Sequence, residues 1–109
     1  MMNNVILTGR LIDKPKENTI TIAIPRNYKN SENFYDTDFI PCLLSNTLLE
    51  KVNEYLQIGD LIGIRGRLEQ QYNDYLDKVL IVNVDKLTFL SSHKPTGEEN
   101  NWWNKQKNK

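Results

Sequence analysis

Residues 19–24 read Thr-Ile-Thr-Ile-Ala-Ile, and this alternation constrains the fold more than any other stretch of the chain. Isoleucine returns at every second position, the period of a strand with one buried face. A helix would need its apolar residues three and four apart. Ile20, Ile22 and Ile24 are therefore expected to face a core. Pro25 should end this strand, because proline cannot donate to a ladder. Four more segments carry the same β-branched, alternating or continuous apolar character: Val5–Leu11, Phe34–Leu44, Leu61–Leu68 and Lys78–Leu90. Asn27–Asn33 reads as a loop or irregular hairpin tip, Pro41 implies an edge position or a bulge, and Asn73-Asp74 marks a turn.

The period changes once. Thr47-Leu48-Leu49-Glu50 fits a capping box, in which threonine and glutamate satisfy the free N–H groups of a helix start. Leu48, Leu49, Val52, Tyr55 and Leu56 then share one face, and Gly59 supplies the stop. The predicted order is β-β-β-α-β-β. That is an all-β chain with the order of an OB-fold, a five-stranded Greek-key barrel with one short helix between strands 3 and 4. An α+β sandwich of the same order is the alternative. Glycines within Leu61–Leu68 favour the barrel, since closing five strands needs sharp coiling.

Charge narrows the function. Fourteen Lys and Arg balance fourteen Asp and Glu. Any polyanion must then be held by a local patch rather than by bulk charge. Composition shifts near residue 91. Residues 1–90 form the expected OB-fold domain, and 91–109 a polar tail expected to be disordered, with Trp102 and Trp103 its only large apolar side chains. The tail's Lys94, Lys105, Lys107 and Lys109 outnumber Glu98 and Glu99, which leaves the domain itself slightly acidic. The start lacks the pattern of a signal peptide, and no apolar run approaches a membrane span, so a cytoplasmic, nucleoid-associated protein with no membrane contact is expected.

Three blocks carry a family likeness. Asn4-Val5-Ile6-Leu7-Thr8-Gly9-Arg10-Leu11 resembles the opening strand of bacterial and phage single-stranded DNA-binding proteins. Asp38-Phe39-Ile40-Pro41-Cys42 resembles their third strand, and Glu54 through Leu68 their helix end and fourth strand. The likeness spans about residues 3 to 90, in the family's order and spacing. It implies an OB-fold that oligomerises, usually as a tetramer, and wraps single strands without sequence preference. Four departures stand out. Only Asp13–Asn18 joins the first two strands, Ser45 stands where an aromatic is common, and Glu69-Gln70-Gln71 precedes Tyr72 where basic residues are usual. The sequence ends Lys105-Gln106-Lys107-Asn108-Lys109 rather than in an acidic tip, so recruitment through such a tip is not expected.

Binding any single strand needs aromatic platforms for bases and cations for phosphates. Tyr28, Phe39 and Tyr72 sit where the resemblance places stacking aromatics. Arg26 and Lys29 flank Tyr28, which makes a local cationic patch around one platform. Phe39 lies on a strand, where core packing competes with binding. Arg10, Arg65 and Arg67 are further phosphate candidates. Arg65 and Arg67 share strand parity, with Ile62, Ile64 and Leu68 on the other face. Four or five such cations imply a log–log salt slope of about −3 per protomer. Lys78 and Lys86 read as solvated. Phe34 and Tyr35 are adjacent, so one is expected in the core, and neither is assigned a binding role.

Catalysis finds little support. His93 is the only histidine and lies in the linker, and Cys42 sits in an apolar run typical of a buried small hydrophobe. No phosphate-binding loop, dinucleotide fingerprint or metal-ligand spacing occurs, so no enzyme, cofactor or metal is expected. The expected partners are single-stranded DNA and further copies of the chain, a homotetramer favoured, acting in DNA replication, recombination and repair. The competing reading is an OB-fold protein-interaction module of a primosome or mobile-element complex.

Overall fold

In the computed structural model, which describes residues 1–91, the alternation at residues 19–24 is realised: Ile20 and Ile22 are fully buried and Ile24 packs against the core. The strands are β1 (Val5–Leu11), β2 (Thr19–Lys29), β3 (Tyr35–Leu43), β4 (Leu61–Tyr72) and β5 (Lys78–Ser91), with helix α1 (Asn46–Tyr55) between β3 and β4. They close into a barrel in the order β1-β2-β3-β5-β4, the expected OB-fold. Every pairing is antiparallel except β3 with β5, which meet in parallel at Cys42↔Val82 and Leu43↔Asn83. The expected polar tail lies, from residue 92 onward, outside the described residues. Among the described residues no helix is long and apolar enough to cross a membrane.

Leu11, Ile20, Ile22, Cys42, Ile62, Ile64, Val82 and Val84 fill the barrel, and Val52 and Leu56 of α1 join them. Burial raises the Cys42 thiol to about 12, so it packs as an inert hydrophobe. Gly66 allows the closest approach in the wall. A Cβ there would stand 2.1 Å from the Asn83 carbonyl oxygen, beside a register shift between Arg65 and Gly66 in the β4–β5 ladder.

Four local expectations need correction. The helix cap is Ser45, whose Oγ accepts from Leu48 N–H at 3.3 Å, and Thr47 lies inside the helix. Leu44 decides this: its N–H donates to the Asn18 carbonyl at 2.7 Å and its carbonyl accepts from Asn18 Nδ2 at 3.1 Å. The chain is thus held extended up to Leu44 and can only turn immediately after it. Tyr55, expected on the buried helix face, is exposed and meets Phe89 edge-on at 6.1 Å. β2 does not end at Pro25 but runs to Lys29. Pairing with β1 stops at Ala23, and a register shift between Pro25 and Lys29 accommodates the proline. Leu68 keeps the inward parity of Ile62 and Ile64 yet is 45% exposed, because little of the core lies beneath it at that end of β4.

Candidate nucleic-acid interface

Two hairpin arms extend past the closed part of the barrel. In the β2–β3 arm, residues beyond Ala23 pair with β3 alone. Asn30 shapes its tip: Oδ1 accepts from Glu32 N–H at 2.9 Å and Phe34 N–H at 3.0 Å, while Nδ2 donates to Asp36 at 3.1 Å. Near the tip the aromatic side chains have no core under either face of the ribbon, while Phe39, opposite the buried Ala23, stands at its base. Tyr28 is 62% exposed, Phe34 54%, Tyr35 50% and Phe39 38%. This corrects the expectation that Phe34 or Tyr35 is a core residue: strand alternation separates inside from outside only where an inside exists. An open groove of about 530 Å³ runs along the arm, walled by Phe34, Tyr35 and Phe39 with Arg26, Asn30 and Thr37 among its polar lining.

The electrostatics of the arm differ from a simple cationic patch. Arg26 forms a fork with Asp38, Nε to Oδ2 at 3.1 Å and Nη2 to Oδ1 at 2.9 Å, and lies 3.8 Å from Asp36. The hydrogen bonds and charge of Asp38 raise the guanidinium's pKa, and the bond from Arg26 lowers that of Asp38. The arm's other cation, Lys29, sits with Nζ 5.8 Å from the Tyr35 ring centroid, a cation–π contact that orients the ring.

The β4–β5 arm ends in the predicted turn. Asn73 Oδ1 accepts from Tyr75 N–H and Asp77 N–H, both at 2.9 Å, with Leu76 at φ 62°. Tyr72 is 62% exposed on its stem, and Tyr75 is exposed at its tip. Arg65 and Arg67 point outward from β4, because Ile64 and Gly66 point in. Arg67 Nε binds Glu69 Oε1 at 3.0 Å, and Asn83 Nδ2 donates to the same oxygen at 3.0 Å. Those bonds, that of Asn83 foremost, hold the Glu69 carboxyl below its usual range. Arg10 Nη1 donates to the Gly59 carbonyl at 2.9 Å, fixing the loop after α1.

Tyr28, Phe39, Lys29 and Arg26 thus gather on one arm and Tyr72 stands on the other. Arg65 and Arg67 lie on the barrel's outer wall, and Arg10 is turned to a structural bond. Phe34 and Tyr35 are surface aromatics that sequence reasoning passed over. Their signal was position, immediately after the polar loop, where a long hairpin leaves its core.

The profile of the "Single-strand binding protein family" matches residues 2–90. A single-stranded DNA-binding protein of Bacillus cereus is 32% identical, the match covering 97% of this chain and 70% of that protein. Single-stranded DNA-binding protein 1 of Staphylococcus aureus is 30% identical over 99% of this chain and 71% of its own. Among solved structures, the Plasmodium falciparum SSB in complex with ssDNA superposes with a TM-score of 0.68, covering 84% of this chain and 96% of that one at 18% identity. That likeness shows a shared fold. With a family profile spanning nearly the whole described barrel and relatives alike along almost the full sequence, the chain belongs to the single-strand binding protein family.

Proposed function

We propose that this chain coats single-stranded DNA without sequence preference, stacking bases on the aromatics of its two arms. The observation that carries the reading is the groove of the β2–β3 arm, where Phe34, Tyr35 and Phe39 stay exposed around a polar floor. Exposed aromatics cost water contact and contribute nothing to this core. Each stacked base is worth about 1–3 kcal/mol, whatever the base. Tyr28 and Tyr72 complete the platforms, and the names of the relatives point the same way.

The cations are fewer than the sequence suggests. Arg26 and Arg67 are held by carboxylates and Arg10 by a carbonyl, which leaves Lys29 and Arg65 as the readier phosphate contacts of the original set. Two contacts give a salt slope of about −1.4 per protomer, in place of −3. The protein would hold the unpaired strand during replication, recombination and repair, with no chemistry of its own. Self-association is supported by β1: its pairing with β2 is confined to Arg10 and Leu11, so Val5–Thr8 carries an edge unpaired with β2 beside the exposed Ile6. A second copy can pair along that edge, and a tetramer needs one further contact.

The test is anisotropy of labelled oligo(dT) against matched duplex, with the Phe39→Ala/Tyr72→Ala variant alongside. Tight binding of the single strand only, weakened at least tenfold in the variant, supports the reading. Equal, weak binding of both oligonucleotides refutes it and returns the fold to a protein-interaction role.

A further inference from the structure

At the foot of the β4–β5 arm a side chain takes the place of a strand. β1 and β4 pair from Arg10↔Leu61 to Val5↔Gly66, and the same register carried two residues further sets Asn3 opposite Leu68. Asn3 lies outside β1, yet its amide makes both bonds that a paired backbone residue would exchange. Nδ2 donates to the Leu68 carbonyl at 2.8 Å, and Oδ1 accepts from Leu68 N–H at 2.9 Å. An asparagine amide offers a donor and an acceptor side by side, where alanine offers neither and aspartate only acceptors.

Leu68 is the residue at which β4 leaves the barrel. Its partner on β5, Val82, is 1% exposed, and beyond that pair no residue of either strand is buried up to the turn at Asn73. Asn83 ties the two strands together through Glu69, but that bond lies within the ribbon and does not fix its angle to the barrel. The Asn3 amide joins the ribbon's foot to the start of β1 instead. Both of its bonds are exposed, so the core does not depend on them and what they fix is direction. From Leu68 to Tyr72 an extended strand runs roughly 13 Å, so a tilt of about 10° at Leu68 moves the Tyr72 ring by about 2 Å. A gap of about 0.5–1 Å already forfeits a quarter to a half of a contact's attraction.

We propose that Asn3 is a positioning residue: by holding both backbone groups of Leu68 it sets the angle of the β4–β5 arm and so presents the Tyr72 ring to a base. This rests on the single-strand reading above and takes its ligand from it. What it adds is a residue outside every strand that acts through Tyr72 and touches no base itself. In the sequence Asn3 stands before the first apolar run, with no motif of its own.

The experiment measures oligo(dT) affinity of the full chain for wild type, Asn3→Ala and Asn3→Asp, each with Tyr72 intact and with Tyr72→Ala. With Tyr72 intact, both Asn3 variants are expected to bind about fivefold more weakly, a coupling of ordinary size for residues that act as a unit. In the Tyr72→Ala background the same changes should cost less than about twofold, because the ring they aim is gone. A role confined to stability would weaken both backgrounds alike. Circular dichroism establishes that each variant is folded, and Asn3→Asp, which keeps the acceptor for Leu68 N–H, is the milder of the two. A wild type that binds no single strand overturns both proposals. A wild type that binds, with losses equal in the two backgrounds or absent from both, overturns this one alone. So do Asn3 variants that fail to fold, since the amide would then belong to the stability of the barrel and not to the aim of the arm.

Discussion

Gly66→Ala is expected to destabilise the barrel far more than Gly63→Ala, three residues earlier on the same strand. At Gly66 an added Cβ stands 2.1 Å from the Asn83 carbonyl oxygen, 3.0 Å from its carbon and 3.1 Å from Val84 Cα. All three are backbone atoms, so no rotamer change relieves the clash. β5 must retreat by about 1.3 Å or more to reach ordinary contact distance. That displacement pulls on Val82 and Val84, which are 1% and 4% exposed. Overpacking of this kind costs about 1–3 kcal/mol, and a clash with rigid backbone belongs at the upper end. Alanine returns about 0.4–1 kcal/mol by restricting the unfolded chain. The net loss is about 2 kcal/mol, a fall in Tm of roughly 8–16 °C for a domain this small. At Gly63 the nearest atom is Leu90 Cδ1 at 3.6 Å, an ordinary contact, so alanine there should be neutral or slightly stabilising. Thermal unfolding followed by circular dichroism, at matched protein concentration, decides the matter. Equal melting of the two variants, in either direction, would refute the close-approach argument.

Three further outcomes are expected. Asp38→Asn frees the Arg26 guanidinium, so oligo(dT) affinity at low salt should rise and the slope should steepen by about 0.7; an unchanged slope would show that Arg26 does not face the strand. Asp38 and Glu69 both have folded pKa values below their unfolded ones, so their contribution is full above the ordinary carboxylate range near 4 and is lost as pH falls through the folded values. Urea midpoints measured from pH 6 to pH 3 should therefore decline less steeply in the Asp38→Asn/Glu69→Gln variant than in wild type. Cys42 is fully buried with its pKa pushed up to about 12, so a thiol reagent at pH 8 should label it only once the chain is unfolded, and rapid labelling of native protein would contradict this core.

What the sequence makes legible is whatever rests on short-range pattern. Ile20, Ile22 and Ile24 declare a core face because every second residue repeats the message. The Asn73 turn declares itself through a side chain that bonds its own neighbours. The errors share one physical source, contacts distant along the chain. Asn18 pins Leu44 and so moves the helix start to Ser45, although Thr47-Leu48-Leu49-Glu50 is the better local pattern. Pro25 should end a strand, but pairing with β3 carries the chain on to Lys29. Phe34 and Tyr35 alternate faithfully, and both are exposed because the ribbon has outrun the barrel. The neighbours of the candidate interface residues are equally distant in sequence. Asp38 lies twelve positions from Arg26, and Lys86 is opposite Arg65 only through a register shift that no local motif announces. Charge seen in one dimension does not show which cations already have a carboxylate beside them.

The parallel seam between β3 and β5 bears on how this barrel comes together. Two residue pairs, Cys42↔Val82 and Leu43↔Asn83, hold it, while β4 and β5 zip along nearly their whole length. The seam joins segments separated by α1, β4 and the β4–β5 turn, so its loop entropy is spent before its few bonds return anything. Closure along this seam, with its two residue pairs, is thus expected after the β2–β3 and β4–β5 ribbons have formed from near neighbours in sequence. In amide exchange, the protons of Cys42 and Leu43 should trade with solvent ahead of those at Ile62 and Ile64. That order of exchange would show the barrel opening as a hinged sheet, along the one line where its strands run the same way.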